Sequence, residues 1–162
     1  MAKRVSLIIG DLFAVPLGEG LLAVFQYVAD DLTQLNSAVI RVFKRRYQER
    51  LVDINSISSS EETEFHAHVF LRLGLKLGFW KKIGHAKVDR NAVVWFRDSN
   101  DYGNPNILVS KNWHVWQINC PFTSVGTLHG EQQEYEIGIV ISPDSIVWRI
   151  KTGHYDFIYP QF

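Results

Sequence analysis

The chain has 162 residues, of which 46% are hydrophobic and 21% charged, a composition typical of a globular domain and unlike that of a disordered chain. Its 17 basic residues equal its 17 acidic residues, so the formal net charge at pH 7 is zero. Dedicated nucleic-acid binders usually carry a basic excess, so this balance disfavours nucleic acid as a partner. The length predicts a single domain over residues 1–162.

The first apolar segments are too short or too polar for a signal peptide or a membrane span. Residues 5–9 form a brief apolar run that ends in glycine and aspartate. The run over residues 12–29 is interrupted by Pro16, Glu19 and Gln26, whereas a bilayer span needs about 20 mostly apolar residues. We therefore expect a soluble, cytoplasmic protein with no membrane partner.

Most of the chain consists of short apolar segments bounded by Gly, Pro, Asn or Asp, which is typical of β-strands. In the first half the predicted strands cover residues 5–9, 12–15, 21–29 and 39–47, with a hairpin turn at Gly18-Glu19-Gly20. A polar segment follows at residues 55–64. From Phe65 to Phe79, apolar residues then occupy every second position. This period favours one or two strands, while the leucine content leaves a helix open.

The second half continues the same pattern until its last element. Predicted strands cover residues 80–83, 93–96, 107–110, 115–118, 125–128 and 137–141, with a turn-rich loop at residues 98–106. After Ser142, a potential helix cap, Ile146, Val147 and Ile150 recur at helical spacing, and Gly153 follows where a helix would end. The sequence therefore predicts a mainly β fold, a β-rich α+β protein with a rolled antiparallel sheet or barrel and one C-terminal helix.

His66 and His68 form an H-x-H pair whose side chains would point to the same face of a strand. Zinc takes three or four ligands, and no other histidine stands at a spacing that links it to this pair. A metal-dependent enzyme built on His66 and His68 is one alternative. Two histidines on a half-solvated strand face is the simpler interpretation, so we expect no metal and no cofactor.

A second alternative is a nucleic-acid-binding module. Basic residues interleave here with Phe43 and Tyr47, a pattern that suits single-stranded nucleic acid, at Arg41, Lys44, Arg45, Arg46 and Arg50. The competing interpretation is a solvated strand face whose charge is offset by acidic residues elsewhere, including Glu61 and Glu62. Cys120 has no identifiable base beside it, so we expect a small buried residue at a strand end rather than a nucleophile.

Trp113 and Trp116 are three residues apart, so on a strand they would face opposite sides. One of them can lie in the core, and the other would then lie on the outer face. An outward tryptophan is a common anchor for a protein partner. The alternative is a small cluster that packs under the loop of residues 98–106.

One segment resembles a known family. The residues Gly10-Asp11-Leu12-Phe13-Ala14-Val15-Pro16-Leu17, followed by the turn Gly18-Glu19-Gly20 and a long apolar strand, resemble the N-terminal signature of the immunity protein 26 family. These are bacterial proteins associated with polymorphic toxin systems. Trp80-Lys81-Lys82-Ile83-Gly84 resembles the family's later W-x-x-I-G segment. The motif residues are structural in character, and we single out Gly10, Asp11, Phe13, Pro16, Gly20 and Trp80.

The resemblance implies a non-catalytic immunity protein, a monomer or homodimer that binds a cognate toxin protein and neutralises it. Such an inhibitor would occupy the toxin's active site or block its productive conformation. If the toxin is a nuclease, an acidic face would mimic nucleic acid and speed association. Glu61, Glu62, Asp98 and Asp101 would supply that face if their loops lie close together.

Overall fold

The computed structural model describes residues 4–58 and 60–162, which form two β-sheets and two α-helices. The larger sheet has six strands: β1 Asp11–Gly18, β2 Leu21–Asp31, β3 Ser37–Gln48, β4 Thr63–Val69, β5 Lys81–His85 and β10 Val140–Ile141. The smaller sheet has four: β6 Trp95–Ser99, β7 Trp113–Gln117, β8 Thr123–Gly126 and β9 Glu136–Ile137. The helices are α1 Leu71–Leu77 and α2 Pro143–Thr152. The prediction of a mainly β protein with a C-terminal helix is confirmed.

The larger sheet runs in the order β10-β4-β3-β2-β1-β5. Its pairs are antiparallel, except that β10 lies parallel to β4. The predicted turn at Gly18-Glu19-Gly20 joins β1 to β2, and Glu19 and Gly20 adopt the left-handed backbone that such a turn needs. β10 and β5 lie at the two edges of this sheet. The larger sheet is therefore an open sheet and not the closed barrel that was the other predicted form.

β2 is buried on both faces, as its continuous apolar run indicates. On one face Phe25 stacks on Phe13 at 5.0 Å between ring centroids and meets the edge of Trp80 at 5.1 Å. Both helices pack on this face through buried side chains such as Leu71 and Ile146. On the other face of the sheet, a second cluster forms around residues such as Phe43.

The predicted strand over residues 65–79 is right only as far as Val69, because residues 71–77 form α1 instead. Leu71 and Gly74 face the core, and the indole of Trp80 occupies the space beside Gly74. Gly78 then ends the helix in the left-handed conformation, with its N–H on the carbonyls of Gly74 and Leu75. The packing of Trp80 against Gly74 therefore favours a helix here, although the alternation of apolar residues predicts a strand.

Two other predicted strands, at residues 5–9 and 107–110, are also wrong. Ile8 and Ile9 are exposed, and the N–H of Ile8 turns toward the Asp11 carboxylate. In the second segment only Val109 makes a β-bridge, to Gln161 near the end of the chain. Neither segment finds a neighbouring strand along its length, and an apolar run without a partner does not form a strand.

The connection from β9 to β10 leads from the smaller sheet to the larger one in only two residues, 138 and 139. β9 pairs with β6 of the smaller sheet, and β10 pairs with β4 of the larger one. Between them the N–H of Gly138 donates to the carbonyl of Arg97 at 2.8 Å. A side chain at Gly138 would run into the indole of Trp116, so only glycine fits at this crossing.

Within the described residues, neither helix is long and apolar enough to cross a bilayer.

Candidate functional site

A cavity of about 510 Å³ opens between the larger sheet and the segment at residues 88–94. Its apolar wall comes from separate parts of the chain: Ile9, Val28, Ala29, Val88, Val94 and Ile118. Its polar wall consists of Arg41, Thr63, His66, Asp89 and Arg90. A mostly apolar cavity of this size with a few converging polar groups is typical of ligand-binding sites.

Arg41 and His66 stand opposite each other on β3 and β4. The Nε of Arg41 donates to Oγ1 of Thr63 at 2.6 Å, and its Nη2 donates to the carbonyl oxygen of Glu61. Burial lowers the pKa of Arg41, while the charges of Asp89 and Glu61 oppose that change. Because an arginine side chain stays protonated in proteins, Arg41 carries a positive charge beside the cavity.

His66 is a neutral imidazole at pH 7. Burial, and then the nearby charge of Arg41, lowers its pKa to about 4. The ring therefore offers one N–H donor and one acceptor nitrogen but no charge. The charged residues of the wall are two arginines and one aspartate, and the charge of Glu61 also acts on Arg41.

His68 does not share the cavity with His66, although both lie on β4. Its side chain is fully buried, and its Nε2–H donates to Oδ2 of Asp31 at 2.9 Å. The other ring nitrogen, Nδ1, is buried with no hydrogen-bond partner in the described part of the chain. Over residues 4–58 and 60–162, no group of three or more His, Cys, Asp or Glu side chains could hold a metal ion. His66 therefore lines the cavity and His68 contacts Asp31, so the two histidines do not form one site.

Asp31 gathers donors from both sheets. Besides His68, it accepts from Nε1 of Trp116 at 2.9 Å and from the N–H of Asn119 at 3.2 Å. Burial alone would raise the pKa of Asp31, but these hydrogen bonds outweigh burial and lower it. Burial lowers the pKa of His68 despite the neighbouring carboxylate. At pH 7 the pair is therefore a carboxylate with a neutral imidazole.

The predicted acidic face at Glu61 and Glu62 lies against the predicted basic strip. Glu62 pairs with Lys44 at 2.8 Å, and Glu61 lies 3.7 Å from Arg45. One further pair, Arg46 with Glu64 at 2.7 Å, extends the same contact. The two stretches offset each other's charge, which weakens both the nuclease-mimic surface and the nucleic-acid patch.

Asp98 and Asp101 are also engaged inside the molecule, on the smaller sheet and its adjoining loop. Asp98 accepts from the hydroxyl of Tyr159 at 2.5 Å, and burial raises its pKa. Asp101 accepts from Oγ of Ser110 at 2.7 Å and from the side-chain amide of Asn112. These two aspartates hold the loop and the C-terminal tail in place, and they do not join Glu61 and Glu62 in one acidic face.

The expectation that Trp113 or Trp116 faces outward is wrong, because the two are only 1% and 2% exposed. Trp116 lies between the sheets with Phe96, and Trp113 packs under the C-terminal tail against Tyr159. Both faces of β7 are therefore covered. Cys120, expected to be buried, is exposed.

The segments that carry the family resemblance meet in the structure. β1 pairs with β5, and Asp11, which is fully buried, accepts from Nζ of Lys82 at 2.8 Å and from the N–H of Ile8 at 2.9 Å. Burial would raise the pKa of Asp11, but these hydrogen bonds, and one with His85, lower it. Comparison with family models, with curated proteins and with solved structures gives no match.

The other motif residues lie in or near β1 and its neighbouring strands. Gly10 has a φ of 106°, and a side chain there would strike the ring of His85. Phe13 stacks in the core, and Nε1 of Trp80 donates to the carbonyl of Leu71 at 3.1 Å. Pro16 precedes a register shift near the end of β1, and Gly20 completes the hairpin turn.

A stripe of large apolar side chains lies exposed at α1. Phe70 is 50% exposed, Leu73 41% and Leu77 59%. Leu73 and Leu77 are one helical turn apart, and Phe70 precedes Leu73 by three residues, so all three share one side of the helix. We call these three residues the α1 stripe. Exposed apolar groups of this kind often mark a protein contact surface.

Sequence reasoning missed the role of Asp31 and of the segment that carries Asp89 and Arg90. Asp31 lies just after the predicted strand over residues 21–29, and Asp89-Arg90 lies between two predicted strands. Arg41 and His66 were singled out for two different hypotheses, nucleic-acid binding and metal binding. The signal that joins them is strand register, which a single sequence does not display.

Proposed function

We propose that the protein is a non-catalytic immunity protein that binds and neutralises a cognate bacterial toxin domain, as its resemblance to the immunity protein 26 family implies. One observation carries the proposal. The two segments that resemble the family are distant in sequence, yet they pair as the adjacent strands β1 and β5 and are joined by Asp11 and Lys82. Motif parts that form one structural unit support the resemblance, and the toxin partner rests on that resemblance, because a fold does not by itself define a function.

The use of polar side chains supports a binding role over a catalytic one. A general base needs an accessible position and a pKa near the working pH. His68 is fully buried on Asp31, and His66 has a pKa of about 4 beside Arg41. Asp98 is held by the hydroxyl of Tyr159. His68 and Asp98 thus fix the structure, and the pKa of His66, which lines the cavity, lies well below the neutral pH at which a general base would work.

The α1 stripe is the surface that we assign to the toxin. Glu61 and Glu62 face cations of the same chain. Trp113 and Trp116 are buried, so these four residues are poorly placed as anchors for a partner. By contrast, Phe70, Leu73 and Leu77 present apolar area to solvent, and burying such area favours association. The protein would act in the cytoplasm, as a monomer or homodimer before it meets the toxin.

Coexpression tests the proposal. The full chain is produced with the toxic domain encoded by its neighbouring gene, and growth and copurification are measured. We expect restored growth and a stoichiometric complex. The double variant Leu73→Glu/Leu77→Glu should lose both, whereas the matched control Leu32→Glu/Leu108→Glu, at leucines that are each 69% exposed, should keep both. Absence of a complex and of protection with the wild-type chain would overturn the proposal.

A further inference from the structure

We propose that the cavity beside His66 binds a small uncharged molecule whose body is apolar and whose single hydroxyl group hydrogen-bonds to the imidazole of His66. The cavity and the α1 stripe are formed by different residues, and the proposal does not depend on the toxin interaction. It rests on three features of the cavity: the composition of its apolar wall, the hydrogen-bonding capacity of His66 and the balance of the nearby charges.

The apolar wall of the cavity is assembled from chain segments that are far apart in sequence. Ile9 precedes β1, Val28 and Ala29 lie on β2, and Ile118 follows β7. Ile9 is 46% exposed, so an apolar ligand in the cavity would remove part of its surface from water. A volume of about 510 Å³ accommodates a small organic molecule but not a folded partner.

His66 presents its imidazole to the cavity. The residue is partly exposed, and within residues 4–58 and 60–162 no hydrogen bond engages either of its ring nitrogens. Its pKa of about 4 keeps the ring neutral at pH 7, with one N–H donor and one acceptor nitrogen. A hydroxyl group both donates and accepts, so it can bond to either nitrogen of the ring. The cavity therefore offers a polar contact point for an otherwise apolar ligand.

The charges around the cavity balance one another, which favours an uncharged ligand over an ion. The charges of Asp89 and Glu61 both act on the guanidinium of Arg41. That guanidinium also donates to Oγ1 of Thr63 and to the carbonyl oxygen of Glu61. With Arg90, the four charged side chains carry two positive and two negative charges. An ionic ligand would give up its hydration without gaining a counter-charge, and such a transfer is costly.

Three probes with the same ring system, titrated at pH 7 and followed by NMR, test the proposal. 2-Naphthol carries the hydroxyl group, naphthalene lacks it, and 2-naphthoate has a carboxylate in its place. We expect one 2-naphthol per chain, with an affinity about two- to tenfold above that of naphthalene, because one uncharged hydrogen bond contributes that much. 2-Naphthoate should bind more weakly than 2-naphthol. Failure of 2-naphthol to bind at millimolar concentration, or an equal or higher affinity for either of the other probes, would overturn the proposal.

Intermolecular NOEs and one substitution locate the site. The ring protons of 2-naphthol should give NOEs to methyl groups of Val28, Val94 and Ile118, which line the cavity. His66→Phe keeps a ring but removes both nitrogens, so this variant should bind 2-naphthol no more tightly than naphthalene. The matched control His154→Phe, at an exposed histidine outside the cavity, should bind both probes as the wild type does.

Two results would place the ligand elsewhere and refute the assignment. One is a set of NOEs that reaches only methyl groups outside the cavity. The other is a preference for 2-naphthol over naphthalene that His66→Phe leaves unchanged or that His154→Phe reduces equally. The NOEs and the comparison of the three probes use the wild-type chain, so they decide the question even if His66→Phe does not fold.

Discussion

The carboxylate of Asp31 at the end of β2 accepts a hydrogen bond from the indole Nε1 of Trp116 on β7, 2.9 Å away, and so joins the two sheets through one buried charge. His68 donates to the same oxygen from β4, and Asn119 donates its backbone N–H to the other. A buried carboxylate is costly unless its oxygens are satisfied. Here the hydrogen bonds that offset the cost of burying Asp31 come from both sheets, from His68 on β4 and Trp116 on β7.

Asp31→Asn should therefore destabilise the protein strongly. The side-chain amide places a donor where the carboxylate accepts, and it removes the charge that strengthens the bonds from Trp116 and His68. We expect the free energy of unfolding to fall by about 3 kcal/mol, measured by urea denaturation at pH 7. Trp116→Phe, which removes the indole N–H but keeps an aromatic ring, should cost less. An unchanged urea midpoint in Asp31→Asn would contradict this account of the sheet junction.

The pKa of His66 predicts a loss of stability in mild acid. In the folded state it is lowered from 6.5 to about 4, so between these values the unfolded chain binds more protons than the folded one. The free energy of unfolding must then fall as the pH drops from about 6.5 toward 4, by about 2 kcal/mol between pH 7 and pH 5 from this residue. His66→Gln should reduce the pH dependence by that amount, measured as urea midpoints at both pH values. The surface variant His154→Gln serves as a control, and equal pH slopes in His66→Gln and the wild type would rule out this origin.

Gly74→Ala tests the packing that turns residues 71–77 into a helix. Alanine favours a helix by about 1 kcal/mol over glycine, but its methyl group would overlap the six-membered ring of Trp80. We expect the clash to win, with a net loss of about 1–3 kcal/mol in thermal or urea unfolding. Combined with Trp80→Phe, which opens space at this point, the same substitution should cost less than the sum of the two single changes. Strict additivity would show that the two residues do not compete for one space.

The guanidinium of Arg149 on α2 makes a two-point contact with Glu136 on β9, with Nη1 at 2.7 Å and Nη2 at 3.1 Å from its carboxylate oxygens. Its Cζ also lies 3.9 Å from the ring centroid of Phe65. Lysine keeps the charge but loses the planar fork, so Arg149→Lys should cost about 1–2 kcal/mol of unfolding free energy. Arg45→Lys, in an exposed pair, should change stability by at most about 0.5 kcal/mol. Similar small effects in both variants would show that the fork geometry at Arg149 adds nothing.

The fold follows from the sequence where local signals and packing agree. The turn at Gly18-Glu19-Gly20 and the helix that ends at Gly153 are both read from short patterns, because backbone conformation and capping decide them. Short patterns do not predict α1, because its leucines alternate as in a strand. Its helical conformation depends instead on packing against Trp80, which follows it in the sequence. Residues 107–110 fail for a related reason, since a strand needs a partner that the sequence does not identify.

The candidate site is harder to predict than the fold. Its polar groups come from β3, β4 and the segment after β5, and only strand register places Arg41 opposite His66. Acidic residues such as Glu61 and Glu62 look available in the sequence, yet the register brings them to the cations of β3. Residue types suggest chemistry, but pairing between distant strands decides which side chains line the same cavity.

The crossing at Gly138 has a mechanical consequence. A chain that leaves β9 and enters β10 after two residues keeps the two sheets close together while β10 stays paired with β4. We therefore expect the two sheets to unfold as one unit. Native-state hydrogen exchange would report this as equal opening free energies for amides in β4 and β7.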